Sequence, residues 1–273
     1  MAHAQVRLVP APGTAADALW ERIRRDAADL AAREPELEAF LRAAVLDRPG
    51  LEDAVVHRVA ERLGAGTMPA GAIERAYRDA MDDRIGPALR ADLDAIVARD
   101  PATGEPLDAV LHLKGYHALV THRLAHRLWH AGRQGLAKWL QSRSSEVFQT
   151  DIHPAARIGQ GVFLDHATGI VIGETAVVDD DVSILQGVTL GGTGKEGGDR
   201  HPKIRRGVLI GAGAIILGNI QVGAGARVGA GSVVLSPVPA GTTVAGVPAK
   251  VVGRTGAGTP AESMDHLFQG EGI

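Results

Sequence analysis

Apolar positions along the chain follow two different periods. In the first half they recur every three or four residues, at Leu19, Ile23, Ala27 and Leu30, then at Leu37, Phe40, Leu41 and Val45. That spacing predicts amphipathic helices, each with one apolar stripe. Pro35 suits the first turn of a new helix. Pro49-Gly50, the stretch from Gly64 to Pro69, Gly86-Pro87 and Asp100-Pro101 punctuate the rest. A further amphipathic stretch covers residues 112–148. Residues 1–14 read as a flexible tail and residues 15–148 as an all-helical domain.

From Ile152 onward the period is six. Aliphatic residues stand at Ile152, Ile158 and Leu164, at Ile172, Val178, Ile184 and Leu190, and at Ile204, Ile210, Ile216, Val222, Val228 and Val234. A small or β-branched residue usually follows four positions later. This is the hexapeptide repeat of a parallel β-helix, in which three hexads close one triangular coil. Within this half, residues 149–253 form the β-helix domain and residues 254–273 a C-terminal tail. Ten of the 35 glycines lie in residues 1–150 and 25 in residues 151–273. The repeat accounts for them better than nucleotide loops do. After Gly211-Ala-Gly213 and Gly223-Ala-Gly225 the last glycine of a dinucleotide fingerprint is replaced by Ile216 and Val228. Gly194-Lys195 lacks the first glycine of a phosphate loop.

Composition narrows the function classes. A net charge of −3 gives no global basic field for nucleic acid or an acidic membrane. The absence of cysteine excludes disulfides and thiolate metal sites. No signal peptide is read at the N-terminus, and no apolar run reaches the ~18 residues of a membrane helix, so a cytoplasmic location is expected. Aromatic residues are only 3%, so the core must be built from small and branched aliphatics.

Chemistry is expected where the period breaks, since functional groups tend to sit on loops that leave a rigid scaffold. The step from Leu164 to Ile172 is eight residues and carries Asp165 and His166. The step from Leu190 to Ile204 is fourteen residues, too polar and glycine-rich for a buried coil. It predicts an extended loop, 191–203, with Lys195, Asp199, Arg200 and His201. Asp151 lies fifteen residues before His166, close to one coil, so the two side chains can approach. A carboxylate accepting from an imidazole N–H fixes the tautomer and stabilises the imidazolium. His122, His126 and His130 lie four apart on a helix, but no H-E-x-x-H accompanies them. They read as a polar helix face, and no metal is expected.

Several stretches together carry a family resemblance. They are ARDPAT (98–103), LKGYHAL (113–119), TDIHPAARIG (150–159), LDHATGIVIGETA (164–176), QGVTLGGTGK (186–195), GGDRHPKI (197–204), GAGAIILGNI (211–220) and AGVPAKVVG (245–253). The chain resembles the serine acetyltransferases, hexapeptide-repeat acyltransferases of cysteine biosynthesis. The resemblance implies an α + β fold: an all-helical N-terminal domain, a left-handed parallel β-helix and a flexible C-terminal tail. It implies acetyl transfer from acetyl-CoA to the hydroxyl of L-serine. On matching positions the general base falls on His166, oriented by Asp151, with His201 as a second catalytic and substrate-binding histidine. Asp100, Asp165 and Arg200 fall at the serine site, and Thr193, Ala212, Ala230 and Lys250 along CoA. The chemistry agrees, because a serine hydroxyl needs a base and a zwitterion needs carboxylates for its ammonium and a cation for its carboxylate. The resemblance also implies inhibition by L-cysteine and docking of the terminal Ile273 into O-acetylserine sulfhydrylase. It further implies a homo-hexamer built as a dimer of trimers, with active sites between adjacent coils.

Three other readings compete. A γ-type carbonic anhydrase would bind zinc through histidines, for which His153, His166 and His201 are available. A hexapeptide acetyltransferase for another acceptor, such as a sugar or homoserine, shares the scaffold. A β-helix that only binds a partner through its tail is the third.

Overall fold

A computed structural model describes residues 15–82, 84–194, 197–256 and 258–266. Lys195 and Ile273 therefore lie outside the described residues. The described residues fall into two compact units divided between Ala54 and Val55.

In the first unit, α1 (Ala15–Arg33) presents Trp20, Ile23 and Ala27 on one buried stripe. A 3₁₀ turn led by Pro35 and a short helix α2 (Glu38–Leu41) follow, and α2 runs on into a π-helical turn, Arg42–Leu46. The apolar period alone does not register that widened turn.

Helix α3 (Leu51–Leu63) crosses into the second unit. There, α4 (Ala70–Ala80), α5 (Ile85–Arg99), α6 (Pro106–Leu111), α7 (Lys114–His130) and α8 (Gln134–Phe148) precede the first strand. The stretch 112–148 is thus two helices. Gly132 divides them with a φ of 78°, a left-handed conformation that ends a helix and favours glycine.

The coils form three parallel sheets. The first face stacks Ile152, Ile172, Leu190, Ile216 and Val234 in register. The second stacks Ile158, Val178, Ile204, Val222 and Val238. The third stacks Leu164, Ile184, Ile210, Val228 and Val244. Sequence separations along the first stack are 20, 18, 26 and 18 residues, so the two breaks lengthen a coil by two and by eight. Both additions leave the aliphatic stack intact and bulge at corners. The last coil shortens to sixteen residues, from Val222 to Val238 and from Val228 to Val244, so these two valines fall outside the six-residue count. An antiparallel strand, Ala249–Arg254, closes the third sheet, and a short helix α9 (Pro260–Ser263) follows.

Helices α5 and α7 dock on the first coil through buried charge. Asp92 of α5 is fully buried and accepts from Arg123 Nε (2.9 Å) and Nη2 (2.6 Å) of α7. Asp92 also accepts from Val162 N (3.0 Å), while Arg123 donates to Gly159 O (2.8 Å). Every partner is hydrogen-bonded, the condition under which a buried ion pair is tolerated. Arg99, seven residues along α5 on the same face, reaches Gly161 O (3.0 Å).

Candidate functional site

The first break sits at the corner between the third and first faces. His166 and Ala167 both hold positive φ, 52° and 61°, which is rare for side chains other than glycine. Tight hydrogen bonds fix the turn, from Ala167 N to Asp165 O (2.5 Å) and from Thr168 N to His166 O (2.8 Å). Gln149, also at positive φ, accepts from Gly169 N (2.7 Å), and Lys114 donates to the Thr168 hydroxyl. Helix α7 closes on this turn without a gap. A Cβ on Gly115 would stand 2.0 Å from Leu164 O, so only glycine fits there. Ala167 turns into the core, fully buried, and His166 turns out, its side chain 74% exposed.

Two carboxylates share this corner with His166. Asp165 lies 3.8 Å from the imidazole Nε2. Burial raises the Asp165 pKa above the ordinary carboxylate value; His166 pulls it down and the charge of Asp100 pushes it up. Asp100 caps the end of α5, accepting from Ala102 N (2.8 Å) and Thr103 Oγ1 (2.5 Å). Among the described residues neither carboxylate pairs with a lysine or arginine. The corner therefore holds acidic charge that a small cation would relieve.

The second break folds back on the preceding coil of its own chain. Thr175 Oγ1 accepts from Arg200 N (3.0 Å) and His201 N (3.1 Å). Thr175 N and Oγ1 lie 3.2 and 2.9 Å from His201 Nδ1. A backbone N–H can only donate, so Nδ1 is the acceptor and the proton sits on Nε2. Burial lowers the His201 pKa, with Arg200 and Lys203 adding to the effect and Glu174 opposing it, in the direction of the neutral ring that an accepting Nδ1 requires. The ring lies on Gly173, where a Cβ would meet it at 2.0 Å. Arg200 pairs with Glu174 (2.7 Å), whose pKa it lowers by hydrogen bonding and charge.

The structure brings Asp100, Asp165 and His166 together at one corner, and Arg200 and His201 at the next. No hydrogen bond among the described residues joins the two groups. Asp151 lies on the outer row of the first face and takes its hydrogen bond from Gln141 Nε2 (2.7 Å) of α8, not from His166. Ala212 and Ala230 lie in the same corner column as His166, two and three coils on. Lys250 pairs with Ala245 at the end of that column, whereas Thr193 is exposed on the His201 side, against Gly218. Glycines open the column: Gly169, Gly187 and Gly213 all hold positive φ, and Cβ atoms on the first two would lie 3.6 and 3.4 Å from the next Cα.

The polar helix face proposed for α7 is corrected. His122 is only 4% exposed, and His126 Nδ1 reaches Pro154 O (2.8 Å), so these two rings pack toward the first coil, while His130 stays exposed as expected. Burial lowers the pKa of both rings. Among the described residues no cluster of histidines and carboxylates could hold a metal ion, and no helix is long and apolar enough to cross a membrane. Thr175, Glu174, Gln141 and Gln186 were not singled out from sequence. The first two occupy ordinary hexad positions, and nothing in the period marks them. Gln186 Oε1, one coil below His166, is buried without a hydrogen-bond partner among the described residues.

Comparison with known proteins gives a consistent result. Residues 19–121 match the family model described as serine acetyltransferase, N-terminal, and residues 201–236 match bacterial transferase hexapeptide (six repeats). The chain is 52% identical over 254 residues to a serine acetyltransferase of Salmonella typhimurium, covering 92% of this chain and 93% of that one. A Brucella abortus serine acetyltransferase solved in complex with coenzyme A superposes with a TM-score of 0.87 at 57% identity, covering 88% of this chain and 97% of that one. A serine acetyltransferase in complex with cysteine gives 0.90 at 48%, covering 92% and 99%. The soybean enzyme complexed with serine gives 0.86 at 48%, covering 89% and 100%.

Proposed function

The chain belongs to the serine acetyltransferase family, and from that premise we propose that His166 is the base that activates the hydroxyl of L-serine for direct attack on acetyl-CoA. The exposed imidazole beside two carboxylates that, among the described residues, pair with no lysine or arginine carries this reading. The serine ammonium sits between Asp100 and Asp165. Its carboxylate meets Arg200 and the Nε2–H of His201, a neutral donor fixed by Thr175. His166 takes the hydroxyl proton as the serine oxygen attacks the thioester carbon. The tetrahedral adduct collapses, the C–S bond breaks, and the proton returns to the departing CoA sulfur. O-Acetylserine and CoA are the products. The family resemblance assigns Asp151 to orient the ring of His166; within one chain its hydrogen bond comes from Gln141.

CoA runs down the glycine-lined corner from His166 past Ala212 and Ala230 toward Lys250. Strand spacing of about 4.8 Å per coil gives a narrow track of roughly 14 Å over three coils, suited to the pantetheine arm. The coenzyme A complex of the Brucella relative supports this use of the scaffold.

The separation of the two corners within one chain supports an active site completed by a neighbouring copy, which would bring Thr193, Arg200 and His201 against His166. The outer row of the first face, with Val171 40% and Ile215 37% exposed, is apolar enough to meet such a copy. A trimer, paired into a hexamer, follows, and sedimentation is expected to find no active monomer. Cysteine competes at the serine site, a reading supported by the cysteine complex of a relative. Docking of Ile273 into a sulfhydrylase remains part of the proposal.

A thiol-release assay with L-serine and acetyl-CoA tests the core of this reading. His166→Ala is expected to lose on the order of 10²–10⁴-fold in kcat. Asp100→Asn is expected to raise the serine KM and leave that of acetyl-CoA alone. Unchanged turnover in His166→Ala removes the mechanism.

A further inference from the structure

The described part of the C-terminal segment turns back along one corner of the coils and brings α9 beside the helix that carries Asp100. This corner, between the second and third faces, is glycine at Gly161, Gly207, Gly225 and Gly241, all at positive φ. Thr255 N donates to Gly241 O (3.0 Å), and two coils nearer the first, Ala261 N donates to Gly207 O (3.3 Å). A Cβ on Gly207 would meet Thr259 at 2.4 Å, so the segment lies flat on the corner. Pro260 and Ala261 of α9 are buried there.

One hydroxyl joins this segment to α5. Ser183, fully buried, donates to Ala261 O (2.8 Å) and accepts from Arg99 Nη1 (3.2 Å). Arg99 is the last residue of α5, directly before Asp100, and is itself 7% exposed. Its Nη1 also donates to Gly161 O (3.0 Å), four residues before Asp165. Its Nη2 lies 3.5 Å from Asp181. Asp181 is the exception in the glycine corner, at a φ of 55°. The coil accepts a strained residue at that point and gains a carboxylate for the guanidinium.

The guanidinium thus pins the chain on both sides of the acidic pair, one residue from Asp100 and four from Asp165. We propose that Arg99 is a positioning residue for the acceptor site, and that α9, through Ser183, holds Arg99 in place. Seating of the C-terminal segment then governs how firmly the ammonium of the acceptor is held, and leaves CoA binding untouched. The inference rests on the assignment of Asp100 and Asp165 to the ammonium.

The test uses the full chain and steady-state kinetics with both substrates. Arg99→Lys keeps the charge but loses the fork. It is expected to raise the serine KM about tenfold, the scale of one charged hydrogen bond, while the KM of acetyl-CoA stays put. Ala261→Gln, which wedges α9 off the corner, is expected to raise the serine KM by a smaller factor. The double variant is expected to be no worse than Arg99→Lys alone. Transfer to 3-hydroxypropionate, which lacks the ammonium, is expected to suffer from neither change. A parallel rise in both KM values, or single effects that multiply in the double variant, overturns the proposal. If Arg99→Lys does not fold, Ser183→Ala decides: a rise in serine KM alone upholds the link, and an unchanged one breaks it. Failure of the underlying assignment is seen separately, as a serine KM in Asp100→Asn equal to that of the unmodified chain.

Discussion

Between Leu164 and Ile172 two extra residues lift His166 out of the coil with its side chain 74% exposed, while eight extra residues between Leu190 and Ile204 bring His201 back against Gly173, 7% exposed. The short break is rigid from below: Gly115 of α7, Gln149 and the inward Ala167 fix its backbone and leave its ring free. The long break is fixed through its ring and its backbone amides by one residue, Thr175. The difference suits the two roles proposed above for these histidines. A group that takes up and returns a proton must reach its reactant and tolerate charge. A group that only donates one hydrogen bond is better buried, neutral and fixed in tautomer.

Four perturbations sharpen or break that contrast. The largest effect is expected from Asp92→Ala, which leaves Arg123 buried without its partner behind the first coil. It should cost about 3–5 kcal/mol, read by denaturant unfolding. Gly173→Ala comes next. It drives a methyl into the His201 ring and should lower kcat/KM for serine roughly a hundredfold with little change in unfolding midpoint, since a displacement near 1 Å suffices for such a loss. Thr175→Val removes the hydroxyl that holds Arg200 and His201. A loss of about tenfold in kcat/KM for serine is expected, matching hydrogen bonds worth about 1.5 kcal/mol. If Thr175→Val instead disables His166-dependent turnover on an acceptor that lacks the carboxylate, such as ethanolamine, the two breaks are not independent.

The smallest effect concerns acid. His117 is fully buried, accepts from Arg62 Nη1 at Nδ1 (2.8 Å) and faces Val110 O with Nε2 (2.8 Å). Burial depresses its pKa to about 3. The unfolded chain takes up this proton below the ordinary histidine pKa near 6.5, while the folded chain does not. Stability from the neutral ring is therefore fully present above that value and declines as pH falls from there toward 3. His201 adds in the same direction. Thermal midpoints measured between pH 7 and 5 should fall, and less steeply in His117→Gln.

The six-residue beat and its two interruptions were legible from the apolar positions, because each hexad places one aliphatic side chain on the axis. Corners that leave the stack in register announce themselves as missing beats, and His166 and His201 follow. Thr175 and Glu174 stayed hidden, since a hexad position constrains only size and these residues act through a loop 25 positions away. The burial of His122 is not legible, because four-residue spacing says which face a ring shares and nothing about what covers that face. Val238 and Val244 escaped because the closing coil drops two residues. Asp181 had a legible signal: a side chain where Gly161, Gly207 and Gly225 hold the same turn.

The stacked aliphatics keep their partners whether a coil spends 16, 18, 20 or 26 residues on its circuit. Structural integrity and reactivity are thereby written in separate parts of the same segment. Corners of this molecule can be lengthened, trimmed or recomposed to suit a different acceptor without renegotiating its interior.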